Sequence, residues 1–539
     1  MSLEYQKFFP YDTPRESQDR AIKFAIEAFE SGKKYVVIEA GTGVGKSAIG
    51  LTISQYICDK NNPLDEGISR GSWYLTTQKV LQDQYIKDFG KKGMRTIKSA
   101  SNYQCTFKKG NDCSETQKLL KVEEKGSKLW NACAFKCHYK KDKEAFIDAT
   151  DSVTNFPYFL TEASYSGKIT PRELLVVDEA HNTESELSKF VEVAVSERFV
   201  KTIIKSGFST IKTQHQAYTW MRDVYYPRLS SHMKHIKSMT EKFTGIRDAI
   251  KKDFVKMSRQ LDLVSSHYQK IKTFLNIYDK ENWVFELLPA GDGKSRRIQF
   301  KPIDVSPYAE PVLFKFGKKV LMMSATILDK DAFCESLGIE KSQCSFISLP
   351  TPFPAKNRPV ISVNMGRMVQ SEIDRTLPKL VQAVKQILSE HKNEKGIIHA
   401  HSYKIANYIK RNIRSSRILV HDSSNREEVL RKHMTGAAPT VLLSPSMTEG
   451  VDLVDDASRF QIICKIPYPY LGDKLVKKRM NKWRWWYALQ TTKTIVQSVG
   501  RSIRSEEDHA VTYILDSDFS RFYQRNTYLF PESFRDSMV

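Results

Sequence analysis

Tyr35-Val36-Val37-Ile38-Glu39-Ala40-Gly41-Thr42-Gly43-Val44-Gly45-Lys46-Ser47 is the stretch from which the rest of the chain is read. Its first six residues form a largely apolar run that predicts a buried strand, and a helix is expected from Ser47 onward. Between them lies a glycine-rich turn ending in Lys-Ser, with Ala40 where the common form of this loop has another glycine. Glycines let successive backbone N–H groups turn toward one point, and the helix N-terminus adds partial positive charge. Strand, turn and helix in that order are what a phosphate-binding loop requires. Gly41, Thr42, Gly43, Val44, Gly45, Lys46 and Ser47 are therefore the candidate nucleotide-binding residues. Lys46 is expected to reach the β- and γ-phosphates, and Ser47 to help hold Mg²⁺.

Upstream, Arg15 and Gln18 precede the loop and are candidates to grip an adenine ring. Downstream, the apolar run Leu174-Leu175-Val176-Val177 ends in Asp178-Glu179-Ala180-His181. A carboxylate at the end of a buried strand can hold the metal, which is the role expected of Asp178. Glu179 is placed to polarise an attacking water. Further on, Ser324-Ala325-Thr326 follows the apolar run Val320–Met323, and Glu449-Gly450-Val451-Asp452 follows Thr440–Leu443. Gly450 and Asp452 are expected at the nucleotide. Gln497-Ser498-Val499-Gly500-Arg501-Ser502-Ile503-Arg504 precedes the last strand. Arg501 and Arg504 share a face if that segment is helical, and in a cleft they can neutralise charge on a departing phosphate. Gly500 suggests close packing beside Gln497.

Strand-like runs alternating with helical ones imply a mainly parallel sheet. Two segments break the pattern. The stretch from Ser99 to Ala149 is polar, rich in lysine and bears Cys105, Cys113, Cys133 and Cys137. Four thiols in one short insertion suit either zinc or a [4Fe–4S] cluster, and their spacing does not choose between them. Tyr103, Phe107, Trp130, Phe135 and Tyr139 alternate there with lysines, a composition that can follow a single nucleic-acid strand by charge and stacking. The second break, Ser188 to Glu286, steps its apolar residues at helical spacing. Phe243, Ile246, Ile250, Phe254, Met257, Leu261, Val264, Tyr268, Ile271 and Leu275 predict one long helix, packed on a preceding helical stretch near Phe199 to Met233. The proline-rich stretch Leu349–Pro354 reads as a linker.

The chain has 539 residues, more than one core serves, and suits about three or four domains. It carries 84 Lys and Arg against 62 Asp and Glu, a formal charge of +22. That excess favours a polyanion, and charge alone does not separate nucleic acid from an anionic membrane. The N-terminus lacks the apolar core of a signal peptide, and no apolar run approaches the ~18 residues of a membrane span. An intracellular, soluble protein is expected, in which eight cysteines do not form a disulfide framework.

Arg15/Gln18, the loop at Lys46, four cysteines, Asp178-Glu179-Ala180-His181-Asn182, a helical insert, Ser324-Ala325-Thr326, Glu449 to Asp452 and Gln497 to Arg504 occur in an order that resembles the XPD/DinG family of superfamily 2 helicases. The cysteines after Thr76 and before Asp178, and the helical insert after His181, are its most specific elements. The resemblance implies an α/β fold with two RecA-like P-loop domains, an iron–sulfur insertion and a helical arch-like insertion. The segments are 1–98, 151–187 and 291–348 for the first motor domain, 99–150 for the cysteine domain, 188–290 for the arch and 349–539 for the second motor domain.

It also implies ATP-dependent 5′→3′ translocation on single-stranded DNA and opening of duplex junctions in DNA repair, replication or recombination. ATP, Mg²⁺ and a [4Fe–4S] cluster are the implied cofactors. By position Lys46, Asp178, Glu179, Gln497, Arg501 and Arg504 take the catalytic roles. A monomer in the cytoplasm or on the nucleoid, without a membrane partner, is the accompanying expectation. The long Cys113–Cys133 spacing and the short arch depart from the family pattern. An RNA or hybrid helicase, and a nucleic-acid-stimulated ATPase switch with a zinc-stabilised insertion, remain alternatives.

Overall fold

The computed structural model describes residues 4–41, 43–59, 64–120, 123–205, 207–208, 211–242, 251–291, 293–421, 425–445, 455–500, 503 and 507–539. The chain divides into two compact units, one of Met1–Ile53, Leu321–Cys334 and Lys341–Val539, the other of Ser54–Val320 and Glu335–Glu340. In chain order the strands are β1 (Tyr35–Ala40), β2 (Ser69–Thr76), β3 (Arg95–Thr96), β4 (Asp151–Asn155), β5 (Arg172–Asp178), β6 (Val193–Ser196), β7 (Trp283–Leu288), β8 (Arg297–Pro302), β9 (Gly317–Ser324), β10 (Cys344–Leu349), β11 (Val360–Ser362), β12 (Gly396–His399), β13 (Ile418–Val420), β14 (Val441–Ser444), β15 (Phe460–Ile463) and β16 (Val511–Ile514).

In the first unit β1 lies between β10 and the end of β9. It pairs with β10 in parallel, Tyr35 opposite Cys344 and Ala40 opposite Leu349. Every residue of β1 is buried, as the apolar run predicts. A second parallel sheet has the order β11-β16-β15-β12-β14-β13. Parallel sheets need cover on both faces, and this one has it. The helix Ile373–Glu390 lays Leu377, Leu380, Val384 and Ile387 on one face against Ile398, Leu443 and Phe460. Ile495, Phe519, Phe522 and Phe530 pack with Ile463 and Ile514 in a separate core. Gly396 is required by close approach, because a Cβ there would fall 2.6 Å from the Phe460 ring.

In the second unit the order from the start of β9 is β9-β5-β2-β4-β3. β4 is polar yet buried through Thr154. Its groups are hydrogen-bonded: Asp151 accepts from Ser54 at 2.6 Å, and Thr154 donates to the Ile97 carbonyl at 3.0 Å. The cysteine-bearing segment leaves between β3 and β4 and forms short helices at Cys113–Leu119, Lys128–Phe135 and His138–Asp148.

The segment after Asp178 is not purely helical. β6, β8 and β7 form an antiparallel sheet at its base, in the order β6-β8-β7. The arch-like segment expected at 188–290 therefore runs on to Pro302, since β8 pairs with both β6 and β7. Alternating burial along β8, with Ile298 and Phe300 inward, escapes a reading tuned to the helical period.

The helical part consists of Gln214–Trp220, a π-helical turn Met221–Tyr225, Tyr226–Glu241 and Lys251–Ile277. The last has 27 residues, about 40 Å of helix. Tyr226 stacks on Tyr268 with ring centroids 5.1 Å apart. Along the expected seam Phe254, Val264 and Ile271 are buried. Phe243, Ile246 and Ile250 lie outside the described residues. The seam ends on Phe274 rather than Leu275, because Phe274 is taken into an aromatic core with Trp283 and Phe300, each 4.9 Å away. The long helix also receives the cysteine-bearing segment: Lys118 lies 3.0 Å from Asp262, and Glu115 pairs with Arg259.

Among the described residues no helix is long and apolar enough to cross a membrane. Phe274→Ala is expected to cost about 3–5 kcal/mol of stability, read as a lowered denaturant midpoint. Leu275→Ala, at a half-buried position, should cost clearly less in the same assay.

Candidate functional site

The loop after β1 escapes the right-handed region at Gly43 (φ 81°) and Gly45 (φ 84°), then enters the helix Lys46–Asp59. Those angles are cheap only for glycine. Lys46 Nζ donates to the Ala40 carbonyl at 3.2 Å, so the ammonium closes over the loop it belongs to. Arg15 and Gln18, the candidates for adenine, both reach the loop. Arg15 Nη1 donates to the Gly43 carbonyl at 3.0 Å and Gln18 Nε2 to the Val44 carbonyl at 2.9 Å. Gln18 Oε1 accepts from the Arg15 N–H at 2.9 Å, which caps the helix Glu16–Glu30. Both side chains thus brace the loop through its carbonyls. The fit is close, for a Cβ at Gly45 would fall 2.4 Å from Gln18 Nε2. Gly41 sits beside Thr351, Val44 is buried, Ser47 lies in the first turn of the helix, and Thr42 lies outside the described residues.

In the second unit Asp178 ends β5 and is 8% exposed. One of its oxygens accepts from the Tyr85 hydroxyl at 3.1 Å and the other from the Glu179 N–H at 2.9 Å. Burial first, and then the Asp178 charge, push the Tyr85 hydroxyl well above its ordinary pKa, so it stays a donor. Glu179 is left-handed at φ 53°, uncommon for a residue with a side chain. Its carboxylate lies 3.2 Å from His181 Nδ1. Ser47 and Asp178 each carry the oxygen donors that suit Mg²⁺.

In the first unit, the loop after β9 carries Thr326, whose N–H bonds Ser324 Oγ at 3.1 Å. Gln497 Nε2 donates to Thr326 Oγ1 at 3.1 Å. Gln497 lies near the end of the helix Trp486–Val499. Gly500 caps that helix, and among the described residues a Cβ there would meet the Val496 carbonyl at 3.4 Å. Ile503 packs with Phe353 and Ala510. Arg501, Arg504, Gly450 and Asp452 lie outside the described residues.

The four cysteines are all free thiols. Cys113 and Cys137 bring their sulfurs to 3.7 Å. Cys113 opens its helix behind the Asp112 cap, and Cys137 caps the helix His138–Asp148. Burial, then Cys137, Cys133 and Cys105, push the Cys113 thiol up to about 12. Burial, then Cys137 and Cys105, push Cys133 up to about 11. Burial works the same way on Cys105, but hydrogen bonds from Thr116 and the Lys108 and Phe107 N–H groups outweigh it and lower that thiol. Four thiols in one segment are the donor chemistry of a thiolate-ligated metal centre. They are not drawn into a closed site: among the described residues no three metal-ligating side chains are placed to hold an ion.

Against known proteins, a family model described as Helicase C-terminal domain matches residues 384–537, and one described as Type III restriction enzyme, res subunit, matches 12–214. A probable ATP-dependent helicase of Methanocaldococcus jannaschii is 21% identical, covering 96% of this chain and 93% of its own. The ATP-dependent DNA helicase YoaA of Escherichia coli is also 21% identical, over 95% of this chain and 92% of its own. A solved structure titled XPD helicase superposes with a TM-score of 0.65 at 16% identity, over 98% of this chain and all of that one. The Xpd4 structure from S. tokodaii gives 0.59 at 14%, over 97% of this chain and all of its own. These matches support an XPD/DinG-type superfamily 2 helicase.

The α/β fold with two RecA-like domains accounts for the parallel sheets. Sequence reasoning missed Tyr85 beside Asp178 and Thr116 beside Cys105. Tyr85 carried a faint signal, since Gln82, Tyr85 and Phe89 form the buried face of the helix Lys79–Phe89. Gly45→Ala forces a strained φ and a clash with Gln18. Equilibrium nucleotide titration should show ATP affinity lowered roughly tenfold or more, whereas Gly291→Ala, with open space and no left-handed angle, should leave it unchanged.

Proposed function

We propose that the protein is an ATP-dependent DNA helicase that moves 5′→3′ along single-stranded DNA and opens duplex at junctions. The observation that carries this is the Gln497–Thr326 bond. It ties the helix ahead of Arg501 to the loop after β9, the link a two-domain motor needs between nucleotide and second domain. The motor domains are 1–98, 151–187 and 291–348, less the β8 strand, and 349–539. The cysteine domain is 99–150, and the arch begins at 188 and closes with β8.

Each residue has a role that its chemistry supports. The N–H groups of Gly43 to Ser47 and the Lys46 ammonium receive the β- and γ-phosphates, Gly41 and Thr42 belong to the same nucleotide-binding set, and Arg15 and Gln18 grip the adenine. Ser47 and Asp178 supply oxygens to Mg²⁺. Glu179 orients and deprotonates the attacking water. Arg501 and Arg504 neutralise charge on the departing phosphate, while Gly450 and Asp452 line the nucleotide from the second domain. ATP is held more tightly when both domains contribute, so its binding draws them together and its hydrolysis releases them. The positive charge of the chain serves the DNA backbone. Action as a monomer, in the cytoplasm or on the nucleoid, completes the reading.

Cys105, Cys113, Cys133 and Cys137 are the residues that would hold a [4Fe–4S] cluster. Such a cluster, when bound, cross-links the insertion and offers a one-electron redox centre. A second reading rests on one distance. The 3.7 Å between Cys113 and Cys137 sulfurs matches the edge of a tetrahedron with Zn–S bonds of about 2.3 Å, so zinc is the alternative occupant.

Two measurements test the proposal. Single-stranded DNA should stimulate ATP hydrolysis, and Lys46→Ala should lower turnover at least about a hundredfold. Full turnover in that variant overturns the nucleotide site. Anaerobically purified protein should be coloured and contain roughly four irons per chain. About one zinc per chain without iron selects the zinc reading.

A further inference from the structure

We infer that Glu39 is a positioning residue that couples the nucleotide-binding strand to the helix Trp486–Val499 through the left-handed turn at Leu328; the inference rests on the helicase reading above. Glu39 is a carboxylate in the wholly buried strand β1, 8% exposed and directly before Ala40, whose carbonyl holds Lys46. A buried acid is tolerated where its oxygens are bonded. One oxygen accepts from the Leu328 N–H at 2.7 Å and the other from Ser348 Oγ at 3.0 Å, and the Ile327 N–H also donates to the carboxylate. None of these partners belongs to the phosphate loop. They come from the turn after Ser324-Ala325-Thr326 and from β10.

Leu328 has φ 67°, a conformation that a branched side chain seldom adopts. Such strain persists only where the surroundings over-determine it, and two things hold it. Glu39 grips its N–H. Its side chain packs against the cluster of Ala332, Leu489 and Leu529. Two positions away, Thr326 accepts from Gln497 on the same helix. The short segment Thr326–Leu328 therefore touches the helix Trp486–Val499 twice, by a hydrogen bond near its end and by apolar packing near its start. Glu39 fixes that segment to the strand that delivers Lys46. A displacement of the end of β1, when Lys46 exchanges the Ala40 carbonyl for a phosphate, reaches the helix ahead of Arg501 through the Glu39 carboxylate.

The test compares ATP hydrolysis and strand separation in wild type, Glu39→Ala, Glu39→Gln and Leu328→Gly. Glu39→Ala is expected to keep KM for ATP and DNA-free turnover within about twofold, while DNA stimulation and base pairs opened per ATP fall roughly tenfold or more. Glu39→Gln, with one oxygen still accepting, should recover part of the loss. Leu328→Gly keeps the left-handed turn but loses the packing, and should uncouple in the same way; it also carries the test if Glu39→Ala does not fold. Equal loss of ATP binding and unwinding in both Glu39→Ala and Leu328→Gly, or full coupling in Leu328→Gly, overturns the inference. Wild-type protein that hydrolyses ATP without any response to DNA overturns the helicase reading first, and this inference with it.

Discussion

A backbone that offers several N–H groups to a phosphate must leave the right-handed region, and here it does so at Gly43 and Gly45. That turn is useful only if it is rigid. β1 supplies rigidity from below, held between β10 and β9. The helix Lys46–Asp59 supplies it from above. Arg15 and Gln18 lock the loop's outward carbonyls from the side. Glu39, the one acid of β1, ties that strand to the Leu328 turn and to Ser348 of β10.

Parallel strands impose the wider plan. Each requires a crossover, so the loops that carry the candidate residues leave from carboxyl ends. The glycine-rich loop follows β1, Asp178 closes β5 and Thr326 follows β9. The insertions obey a different constraint. Among its described residues the cysteine segment buries few large apolar side chains, chiefly Leu119, Leu129, Tyr139 and Phe146. A module so poor in core is the kind that needs a metal or cross-link to hold its shape. The arch-like insert instead builds its own core, where Phe274, Trp283 and Phe300 meet over an antiparallel sheet.

Long apolar runs made much of this legible. β1, β5 and β14 could be read from the sequence because every residue is buried and hydropathy alone marks them, and so could β9 from Val320 onward. β10, β11 and β13 could not, since they are edge strands with half-buried residues. β4 escaped for the opposite reason: it is buried but polar, its hydroxyls and carboxylate satisfied by neighbours. The phosphate loop and Asp178 were legible as local motifs. The grip of Arg15 and Gln18 on the loop was not, because a motif gives residue types and not their partners. Tyr85 was hidden for the same reason, as its partner Asp178 is distant in the chain.

Directional strand separation probes the motor as a whole. Duplex DNA with a 5′ single-stranded tail and the same duplex with a 3′ tail are offered to wild-type protein with ATP. Opening of the 5′-tailed duplex, and not the 3′-tailed one, is the expected result. Opening only from a 3′ tail, or ATP hydrolysis with neither duplex opened, contradicts the account.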